Sequence, residues 1–573
     1  MEDDAEPVVY IRAVGVKERV WFPKIGRGVA KSGRITKKGI PFLCSIIPGR
    51  RPIWRYPLQD NTLSSSLSLS LWPQIISRSW NHLSKSGHPP SSKQLADEIA
   101  SRLAISPQVA LGLIEGFDSL LKFATSEWDS SSDVVDQERL SIKVALASAR
   151  PILEARLQDR LDHLDLTYPQ ARCQGCGREP LSQGRRTRSW DSTLGELDLE
   201  RRYFWCKDCQ SGLSPAQEKV GLPESDFTPA FEEVTSLMAT TIPHQLAVTV
   251  LHQLLGVEVS PKAAKSITSR RGAEVVEQIE KEAQELDKYE RDWQTRPPVG
   301  PDPNSSAPLE VAYLEIDGVS VPVRKEVERK EIEDSVQGGK GRKYEVRGRE
   351  VKNAVLYEAS SCAEESESRG CILEKKYVSH LGDWKKFALL VWVEILLLGY
   401  DRAKLLVVLS DGAEWIRSLV MLLPIEVMLI LDLYHVKKKI WEVGVAVYGE
   451  GSQQAVEWSE EQCKRVEEGK AEEVIEGLKF LKKSKRRARE KIAGLERYLE
   501  NNLDRMDYPG YKAAGLRVGS GAVESTNYHV TGARLKLQGM RWSEEGASQM
   551  AKLRADLFNG KWQERTKQTL KAS

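Results

Sequence analysis

The sequence predicts a multi-domain α/β protein, and three observations support this. First, the chain has 573 residues, which at roughly 100–200 residues per domain allows about three to five domains. Second, residues 309–433 alternate strand-like apolar runs with helical segments, whereas residues 93–166 and 226–290 show the apolar spacing of helices. Third, residues 167–212 contain two Cys-x-x-Cys pairs and short alternating strands.

Composition excludes several classes of protein. Hydrophobic residues make up 40% of the chain, which allows a sizeable core and excludes wholesale disorder. Lys and Arg number 84 against 82 for Asp and Glu, so any nucleic-acid surface must come from local clusters of charge. Eight Cys residues are too few for a disulfide scaffold. The longest apolar run, residues 387–398, is shorter than the roughly 20 residues of a membrane span. The acidic N terminus is not typical of a secretory signal.

The predicted organisation has five parts. Residues 1–92 are basic and Ser-rich, and we expect a poorly ordered, solvated tail rather than a DNA contact. The other parts are a helical domain at 93–166, a cysteine ribbon at 167–212, a helical region at 213–296, and an α/β domain at 305–573. The Pro-rich residues 297–308 form the main boundary, and residues 436–503 are charged and helical throughout.

The cysteine pairs predict a metal site. Cys173 and Cys176 form one pair, and Cys206 and Cys209 form the second pair after 29 intervening residues. Two such pairs complete tetrahedral thiolate coordination of Zn²⁺, and the gap holds enough strand-forming residues for a hairpin. A redox role would need only one pair, near a βαβ unit. We therefore expect a structural zinc ion without an open position for substrate.

A helix pair in the fourth part, residues 213–296, suggests DNA recognition. Residues 245–255 form one predicted helix, residues 256–259 a turn, and residues 260–271 a second helix capped by Ser260. This arrangement suits a recognition helix in the major groove, although many helix pairs bind nothing. The expected DNA contacts on the second helix are Lys262, Lys265, Ser266, Ser269 and Arg270.

Three acidic residues are candidates for catalysis. Asp317 and Asp411 lie near the ends of apolar strands, and Glu524 lies in the first turns of a helix. Neighbouring carboxylates suit Mg²⁺ or Mn²⁺, and two such ions about 4 Å apart can activate a nucleophile at a phosphodiester. Each residue alone would be explained equally by a turn or a helix start. The strand, strand, helix order of the three favours a shared metal site.

These residues lie in blocks that resemble a known family, the DDE transposases of bacterial insertion sequences, most closely the ISKra group. The matching blocks span residues 315–324, 408–416, 430–436, 518–524 and 537–543. The most specific feature is Gly-Met-Arg-Trp at 539–542, soon after Gly-Ser-Gly-Ala-Val-Glu at 519–524. The cysteine ribbon and the helix pair also resemble the DNA-binding region of the family. The resemblance covers roughly residues 95–570, whereas residues 1–92 match nothing in it.

The resemblance implies an RNase H-like core with Asp317, Asp411 and Glu524 as the metal-binding triad. It also implies that residues 436–516 are a helical insertion before the helix that carries Glu524. Asp432 and His435 look like the Asp-x-x-His signature of transposases with such an insertion. We expect them to support the site, and Asp432 is the reserve candidate for the second carboxylate ligand.

Two basic segments are further candidates for DNA binding. Residues 482–491 carry seven positive charges, which would bind phosphates unless they form only a solvated helix face. The candidates there are Lys482, Lys483, Lys485, Arg486, Arg487 and Arg489. Arg534, Lys536, Arg541 and Trp542 follow Glu524 and would position a DNA strand, although Trp542 suits the core equally well.

The expected function is that of a DNA transposase in the bacterial cytoplasm, associated with the nucleoid. It would cut the ends of an insertion sequence with two Mg²⁺ or Mn²⁺ ions and join the 3′-OH to target DNA. Double-stranded DNA is the expected partner, and a homo-oligomer, dimeric or larger, is expected on that DNA. Two alternatives remain, a structure-selective RNase H-like nuclease and a domesticated DNA-binding protein without catalysis.

Overall fold

A computed structural model of the chain describes residues 91–126, 133–168, 170–287, 309–326, 344–366 and 369–565. All of them belong to one compact unit, residues 71–573. The predicted tail lies outside the described residues except for Ser91 and Ser92, which cap and begin the first helix. The predicted boundary at 297–308 also lies outside them. No described helix has both the length and the apolar character that a membrane crossing requires.

Three helices begin the described chain, which confirms the helical prediction for residues 93–166. They are α1 (Ser92–Leu103), α2 (Pro107–Thr125) and α3 (Val134–Thr167). α2 lies close to α3 because it presents two glycines to that helix, Gly112 and Gly116. A Cβ atom on Gly116 would lie 2.3 Å from the backbone oxygen of Ser148 in α3.

A three-stranded antiparallel sheet follows, with the order β1-β2-β3. The strands are β1 (Leu181–Ser192), β2 (Gly195–Cys206) and β3 (Ser211–Leu213). β1 and β2 form the hairpin that the residues between the cysteine pairs predicted. Trp190 of β1 is fully buried in a cluster with Leu161 and Leu164, so the sheet is anchored on α3.

Four helices connect this sheet to the next one. They are α4 (Pro215–Val220), α5 (Pro229–Thr241), α6 (His244–Leu255) and α7 (Pro261–Asp287). The predicted first helix and turn are confirmed, and the Ser260 hydroxyl accepts from the backbone of Ala263. The predicted end of the second helix at residue 271 is wrong. α7 continues to Asp287 because Val275 and Ala283 are buried against later parts of the chain.

A five-stranded mixed sheet forms the centre of the C-terminal part. Its strands are β4 (Val311–Glu326), β5 (Tyr344–Glu358), β8 (Lys376–Leu381), β9 (Leu405–Ser410) and β10 (Met428–Leu431). The order across the sheet is β10-β9-β4-β5-β8. β5 is antiparallel to β4 and β8, whereas β9 is parallel to β4 and β10. A small hairpin, β6 (Cys362–Ser366) and β7 (Arg369–Ile372), lies outside this sheet.

The two faces of this sheet carry different layers. Ala312, Leu314 and Val408 face a cluster with α8 (Trp384–Leu398), α9 (Glu414–Val420) and the end of α7. On the opposite face, Val407 and Ile430 pack with a helix described below. β9 and the first part of β4 are buried on both faces, and their continuous apolar runs are the reason why these central strands were recognisable from sequence.

Charged helices follow β10, as predicted for residues 436–516, although the first of them begins at Leu433. They are α10 (Leu433–Tyr448), α11 (Gln453–Glu467), α12 (Ala471–Ser484), α13 (Arg489–Glu500) and α14 (Tyr508–Ala513). Their apolar sides share a core of their own that includes Ile440, Ile475 and Ile492.

The chain then returns to the sheet. The final helices are α15 (Gly521–Thr526), α16 (Ala533–Leu535) and α17 (Glu544–Phe558), and a π-helical segment, Asn527–Gly532, joins the first two. α15 packs on the sheet through Ala522 and Val523. The sheet therefore has helices on both faces, with α15 over the face to which Val407 belongs.

A pair of Gly→Ala substitutions tests the packing of α2 on α3. Gly116→Ala should lower the free energy of unfolding by about 1–3 kcal/mol, because the new methyl group overlaps the Ser148 carbonyl. Gly477→Ala in α12 is the matched control, since its Cβ would meet open space. That control should stabilise the protein by about 0.5–1 kcal/mol through helix propensity. Denaturant unfolding measures both, and equal effects would contradict the close approach.

Candidate metal centres

Strand register brings three aspartates into one row. Ile316 of β4 pairs with Ser410 of β9, and Ser410 pairs with Leu431 of β10. The residue that follows each of these three is an aspartate: Asp317, Asp411 and Asp432. Adjacent strands lie about 4.8 Å apart, so the three residues are neighbours across the sheet. The Asp432 N–H donates to the Ser410 carbonyl at 2.8 Å, which extends the pairing to this level.

Each aspartate is held by local hydrogen bonds. The Asp411 carboxylate accepts from the Ala413 N–H at 3.0 Å. Asp432 is buried and caps α10 by accepting from the Tyr434 N–H at 2.8 Å. These bonds fix the carboxylates where the strands end, but they leave oxygen lone pairs available to a further ligand.

Glu524 faces this row from α15. Its helix is fixed from two sides, since the Leu433 N–H donates to the Val518 carbonyl at 2.9 Å before the helix begins. The Ser520 hydroxyl donates to the Asp432 carboxylate at 2.5 Å. Glu524 itself is exposed. A solvent-accessible carboxylate on a fixed helix can reach a ligand at the sheet edge.

One potential ligand atom from each of Asp432, His435 and Glu524 lies within 4.8 Å of the others. Asp432 caps α10 and His435 lies in its first turn, so the two side chains lie near one helix end. Two carboxylates and an imidazole form a donor set that holds divalent cations, and the imidazole favours Mn²⁺ over Mg²⁺. The predicted supporting pair therefore lies within ligand distance of Glu524.

Asp317 and Asp411 of the predicted triad lie beside this group rather than in it, since the ligand atoms that converge within 4.8 Å are those of Asp432, His435 and Glu524. Burial raises the pKa of Asp317 to about 6, and the negative charges of Asp411 and Glu524 act in the same direction. Hydrogen bonds from the Gly318 N–H and the Asn527 amide oppose this effect. The charges of Asp411 and Glu524 raise the pKa of Asp317 because they lie near it, and a bound cation would relieve this repulsion.

A chain of hydrogen bonds that the sequence did not indicate holds Asp317. The Asn527 amide donates to the Asp317 carboxylate at 2.6 Å. The Asn353 amide donates to the Asn527 side-chain oxygen at 2.6 Å, and the Ser379 hydroxyl donates to Asn353 at 2.6 Å. Asn353 and Ser379 lie level with Asp317 on β5 and β8. Only the strand register shows that these residues belong to one row.

Glu315 is a second residue that sequence reasoning missed as part of the site. It is buried on the same face of β4 as Asp317 and accepts from the Tyr357 hydroxyl at 2.6 Å. Its second oxygen accepts from the Val523 N–H at 2.9 Å. Burial raises the pKa of Glu315, whereas these hydrogen bonds lower it. Glu315 thus ties the helix of Glu524 to the central strand.

The helical segment after β10 supports the turn that carries Asp411. The Tyr498 hydroxyl of α13 donates to the Asp411 backbone carbonyl at 2.8 Å. Gly412 follows with a φ of +92°, and a Cβ there would lie 2.9 Å from both Leu431 and Tyr498. The turn therefore needs glycine for its conformation and for its space.

The four predicted cysteines form a second cluster. Their sulfur atoms all lie within 4.8 Å of one another, and Cys176 Sγ is 3.5 Å from Cys206 Sγ. The first pair lies on a knuckle in which the Cys173 N–H donates to the Arg178 carbonyl at 2.9 Å. The second pair lies at the end of β2 and in the turn before β3.

The charges of these thiols favour a cation. Backbone N–H groups of Cys176 and Gly175 lower the pKa of Cys173 to about 6. Hydrogen bonds with the neighbouring thiols raise the pKa of Cys209 to about 12. The Cys173 thiol therefore ionises readily, whereas the Cys209 thiol ionises only with difficulty. Such a difference is expected where several sulfur atoms converge. A tetrahedral set of four sulfur donors fits Zn²⁺.

The predicted DNA contacts on α7 differ from one another. Lys262, Lys265 and Ser266 are exposed, and Ser269 is half-buried. Arg270 forms an ion pair with Glu232 of α5, so its charge is already neutralised.

The predicted DNA contacts after Glu524 include both exposed and buried residues. Lys536 and Arg541 are exposed. Arg534 is fully buried, which corrects the prediction of a surface contact, and its Nε donates to the Ala239 carbonyl at 2.9 Å. Trp542 is half-buried against the sheet, and its indole N–H donates to the Leu535 carbonyl at 3.1 Å. Of the two roles predicted for Trp542, packing in the core therefore fits better than a surface contact with DNA.

The basic residues 482–491 lie at a helix junction rather than along one helix face. α12 ends at Ser484 and α13 begins at Arg489, with a 3₁₀ turn between them. Lys482 forms an ion pair with Glu496. The other predicted contacts of this segment are exposed: Lys483, Lys485, Arg486, Arg487 and Arg489.

Metal analysis tests the cysteine cluster. The purified protein should contain about one zinc ion at this site, and Cys176→Ser or Cys209→Ser should remove it and lower the melting temperature. Cys371→Ser is the control, because Cys371 lies outside the cluster and should leave the metal content unchanged. Elemental analysis with thermal unfolding measures both effects. Equal zinc content in all three variants would contradict the site.

The C-terminal part of the chain matches a protein-family model. Residues 340–571 match the model of an uncharacterised protein family, UPF0236. No curated protein matches the chain closely enough to count as a relative. The matched segment is less than half of the chain and contains Asp411, Asp432, His435 and Glu524, whereas Asp317 and the cysteine cluster precede it. The C-terminal part of the chain is thus similar to UPF0236, a family whose description names no activity.

Proposed function

We propose that this protein is a DNA transposase that cuts the ends of an insertion sequence and joins the freed 3′-OH to target DNA. The observation that carries the proposal is the row of Asp317, Asp411 and Asp432 across adjacent strands, with Glu524 facing it. Such a convergence of carboxylates has a chemical use at a phosphodiester, because it concentrates divalent cations where the DNA is cut.

The sheet supports an RNase H-like assignment. The first three strands in sequence, β4, β5 and β8, are antiparallel, and β9 and β10 then extend the sheet in parallel on the other side of β4. This order and these directions fit the core that the resemblance to DDE transposases implies. The helices after β10 fit the implied insertion at residues 436–516.

The donor groups suit two divalent ions. Asp432, His435 and Glu524 would hold one Mg²⁺ or Mn²⁺ ion, and Asp317 and Asp411 would hold the other. Bound there, the ions would lower the pKa of the attacking hydroxyl and stabilise the leaving oxygen. Asn527 keeps the Asp317 carboxylate oriented, and Glu315 keeps the helix of Glu524 in place.

The proposed reaction has two displacements at phosphorus. Water attacks the phosphodiester at the element end, and the bond from phosphorus to the 3′ oxygen breaks to leave a 3′-OH. That hydroxyl then attacks a phosphodiester of the target, whose own 3′ oxygen leaves. No protein nucleophile is required, and the exposed Glu524 leaves the site open to a DNA strand.

Two basic surfaces would hold double-stranded DNA. Exposed Lys262 and Lys265 lie on α7, and exposed Arg486, Arg487 and Arg489 lie near the α12–α13 junction. Contacts of this kind give strongly salt-dependent binding. The cysteine ribbon and α6–α7 would recognise the element ends, which distinguishes this proposal from a general nuclease. Coordinated cutting of two ends would require a dimer or a larger homo-oligomer.

A strand-transfer assay tests the proposal. The substrate is DNA from the flanks of the gene, with Mg²⁺ or Mn²⁺, and the wild type should give joined products. Asp317→Asn, Asp411→Asn and Glu524→Gln should each lower the rate by at least ~100-fold with DNA binding kept, because a ligand matters more than its outer support. Asp118→Asn, on exposed α2, is the matched control and should retain the rate.

The other outcomes of that assay separate the alternatives. Cleavage without joining would favour the structure-selective nuclease. Specific DNA binding without chemistry in any variant, wild type included, would favour a domesticated DNA-binding protein and would reject the transposase.

Asn527→Ala tests the support of Asp317. Because the Asn527 amide donates to the Asp317 carboxylate, its loss should weaken Mn²⁺ binding or cleavage by about 10–100-fold. The melting temperature and the affinity for DNA should change little. A rate equal to that of the wild type would remove Asn527 from the site.

A further inference from the structure

A basic cavity of about 180 Å³ lies away from the carboxylates. It is lined by the start of α6, by α7, by the end of β4 and by the residues that follow Glu524. Its charged lining residues are all cationic: Lys265, Arg324, Arg534 and Arg541. Trp542 and a neutral His244 also line it, and no lining residue carries a carboxylate. Such a lining is suited to an anion.

Arg534 places a buried positive charge in the wall of the cavity, over the ring of Trp542. The residue is fully buried, and its guanidinium contacts the Ala239 carbonyl, the Met540 sulfur and His244 Nδ1. Among the described residues, no carboxylate lies within ion-pair distance of it. Burial lowers the pKa of Arg534 to about 10, with a contribution from Arg554, so it remains charged at neutral pH. A buried cation without a counter-charge is costly unless an anion joins it.

His244 does not balance this charge. Burial lowers its pKa to about 4, and the positive charges of Arg534 and Lys265 act in the same direction. The ring is therefore neutral at pH 7, with Nδ1 accepting from Arg534 and the other nitrogen carrying a proton. His244 adds a neutral donor to the cavity, but no negative charge.

The cavity is connected rigidly to the carboxylates. Arg324 lies seven residues after Asp317 on β4, a distance of roughly 23 Å at about 3.3 Å per residue. Arg534 lies ten residues after Glu524 on a nearly continuous helical run, roughly 15 Å at about 1.5 Å per residue. The Arg324 N–H donates to the Trp542 carbonyl at 2.8 Å, which joins the two routes.

We propose that this cavity binds one backbone phosphate of the DNA whose scissile bond lies at the carboxylates. At about 3.4 Å per nucleotide step of a duplex strand, the bound phosphate lies roughly four to seven nucleotides from that bond. Lys265 comes from the helix that recognises DNA, and Arg324 and Arg541 come from the catalytic part. The inference rests on the proposed function, since it takes the anion to be DNA.

This arrangement sets a distance between recognition and cutting. A phosphate held jointly by α7 and the catalytic part fixes the DNA in register with both. The spacing between the recognised sequence and the cut is then determined by the protein rather than by the DNA sequence at the cut.

The salt dependence of DNA binding tests the proposal. The protein carries Asp411→Asn so that the DNA stays intact, and a fluorescent duplex of the element end is titrated at several salt concentrations. Each neutralised phosphate contributes about 0.9 to the slope of log K against log salt. Lys265→Ala and Arg541→Ala should each weaken binding. Together they should lower the slope by about one, because they hold the same phosphate.

Lys122→Ala on α2 is the control. Lys122 is mostly exposed, and it is far in sequence from the cavity and from the carboxylates. It should leave the slope unchanged. Lys265 and Arg541 are also exposed, so melting temperatures should match in all variants. A slope lowered by about two in the double variant would mean two separate phosphates and would overturn the single cavity site. An unchanged slope would overturn it as well.

A second titration separates DNA from a free anion. Calorimetry with inorganic phosphate measures whether the cavity takes the anion alone. Phosphate binding that depends on Lys265 and Arg541, with an unchanged DNA slope, would make this a free-anion site and overturn the DNA assignment. The expected slope change in a protein that never joins strands would reject the transposase but keep the cavity as a DNA-phosphate site.

Discussion

The register of three parallel strands is the constraint on which the candidate active site depends. Asp317, Asp411 and Asp432 are neighbours only because Ile316, Ser410 and Leu431 pair at one level. A slip of one residue would turn the side chains of a strand to the opposite face and separate the carboxylates. The buried faces prevent such a slip, since Leu409 and Ile430 are fully buried two residues before Asp411 and Asp432. Apolar packing thus holds like charges together, and the remaining repulsion is what a cation would relieve.

The rest of the C-terminal part keeps that row in place. The insertion supports the Asp411 turn through Tyr498, and the residues before α15 are bonded to the end of β10. Glu315 accepts a hydrogen bond from the N-terminal turn of α15, where a negative charge is favourable. These contacts join segments that are far apart in sequence. The helices between β10 and α15 are therefore part of the site's support.

The strands and the acids at their ends could be predicted from sequence because both signals are local. Apolar runs at residues 404–409 and 426–433 predict β9 and β10, and an aspartate lies close to the end of each run. What sequence could not show depends on contacts across the fold. The length of α7 follows from Val275 packing near α17. The role of Asn353 follows from strand register, and that of Glu315 from its hydrogen bonds with Tyr357 and Val523. The proximity of Asp432 and His435 to Glu524 likewise requires the return of the chain after the insertion.

The number of basic residues in the sequence overstates how many of them are available to bind a phosphate. The structure distinguishes cations that already have an acidic partner from cations that do not. Arg270 and Lys482 looked equivalent to their neighbours, yet each has an acidic partner, Glu232 and Glu496 respectively. Breaking such a pair to bind phosphate would recover only the difference between two interactions of similar strength. Lys265 and Arg541 have no carboxylate within ion-pair distance among the described residues, and both line a cavity without acids. Cations of this second kind gain most from a phosphate, so the cavity, rather than the most basic segment of the sequence, is the better candidate for the proposed phosphate contact.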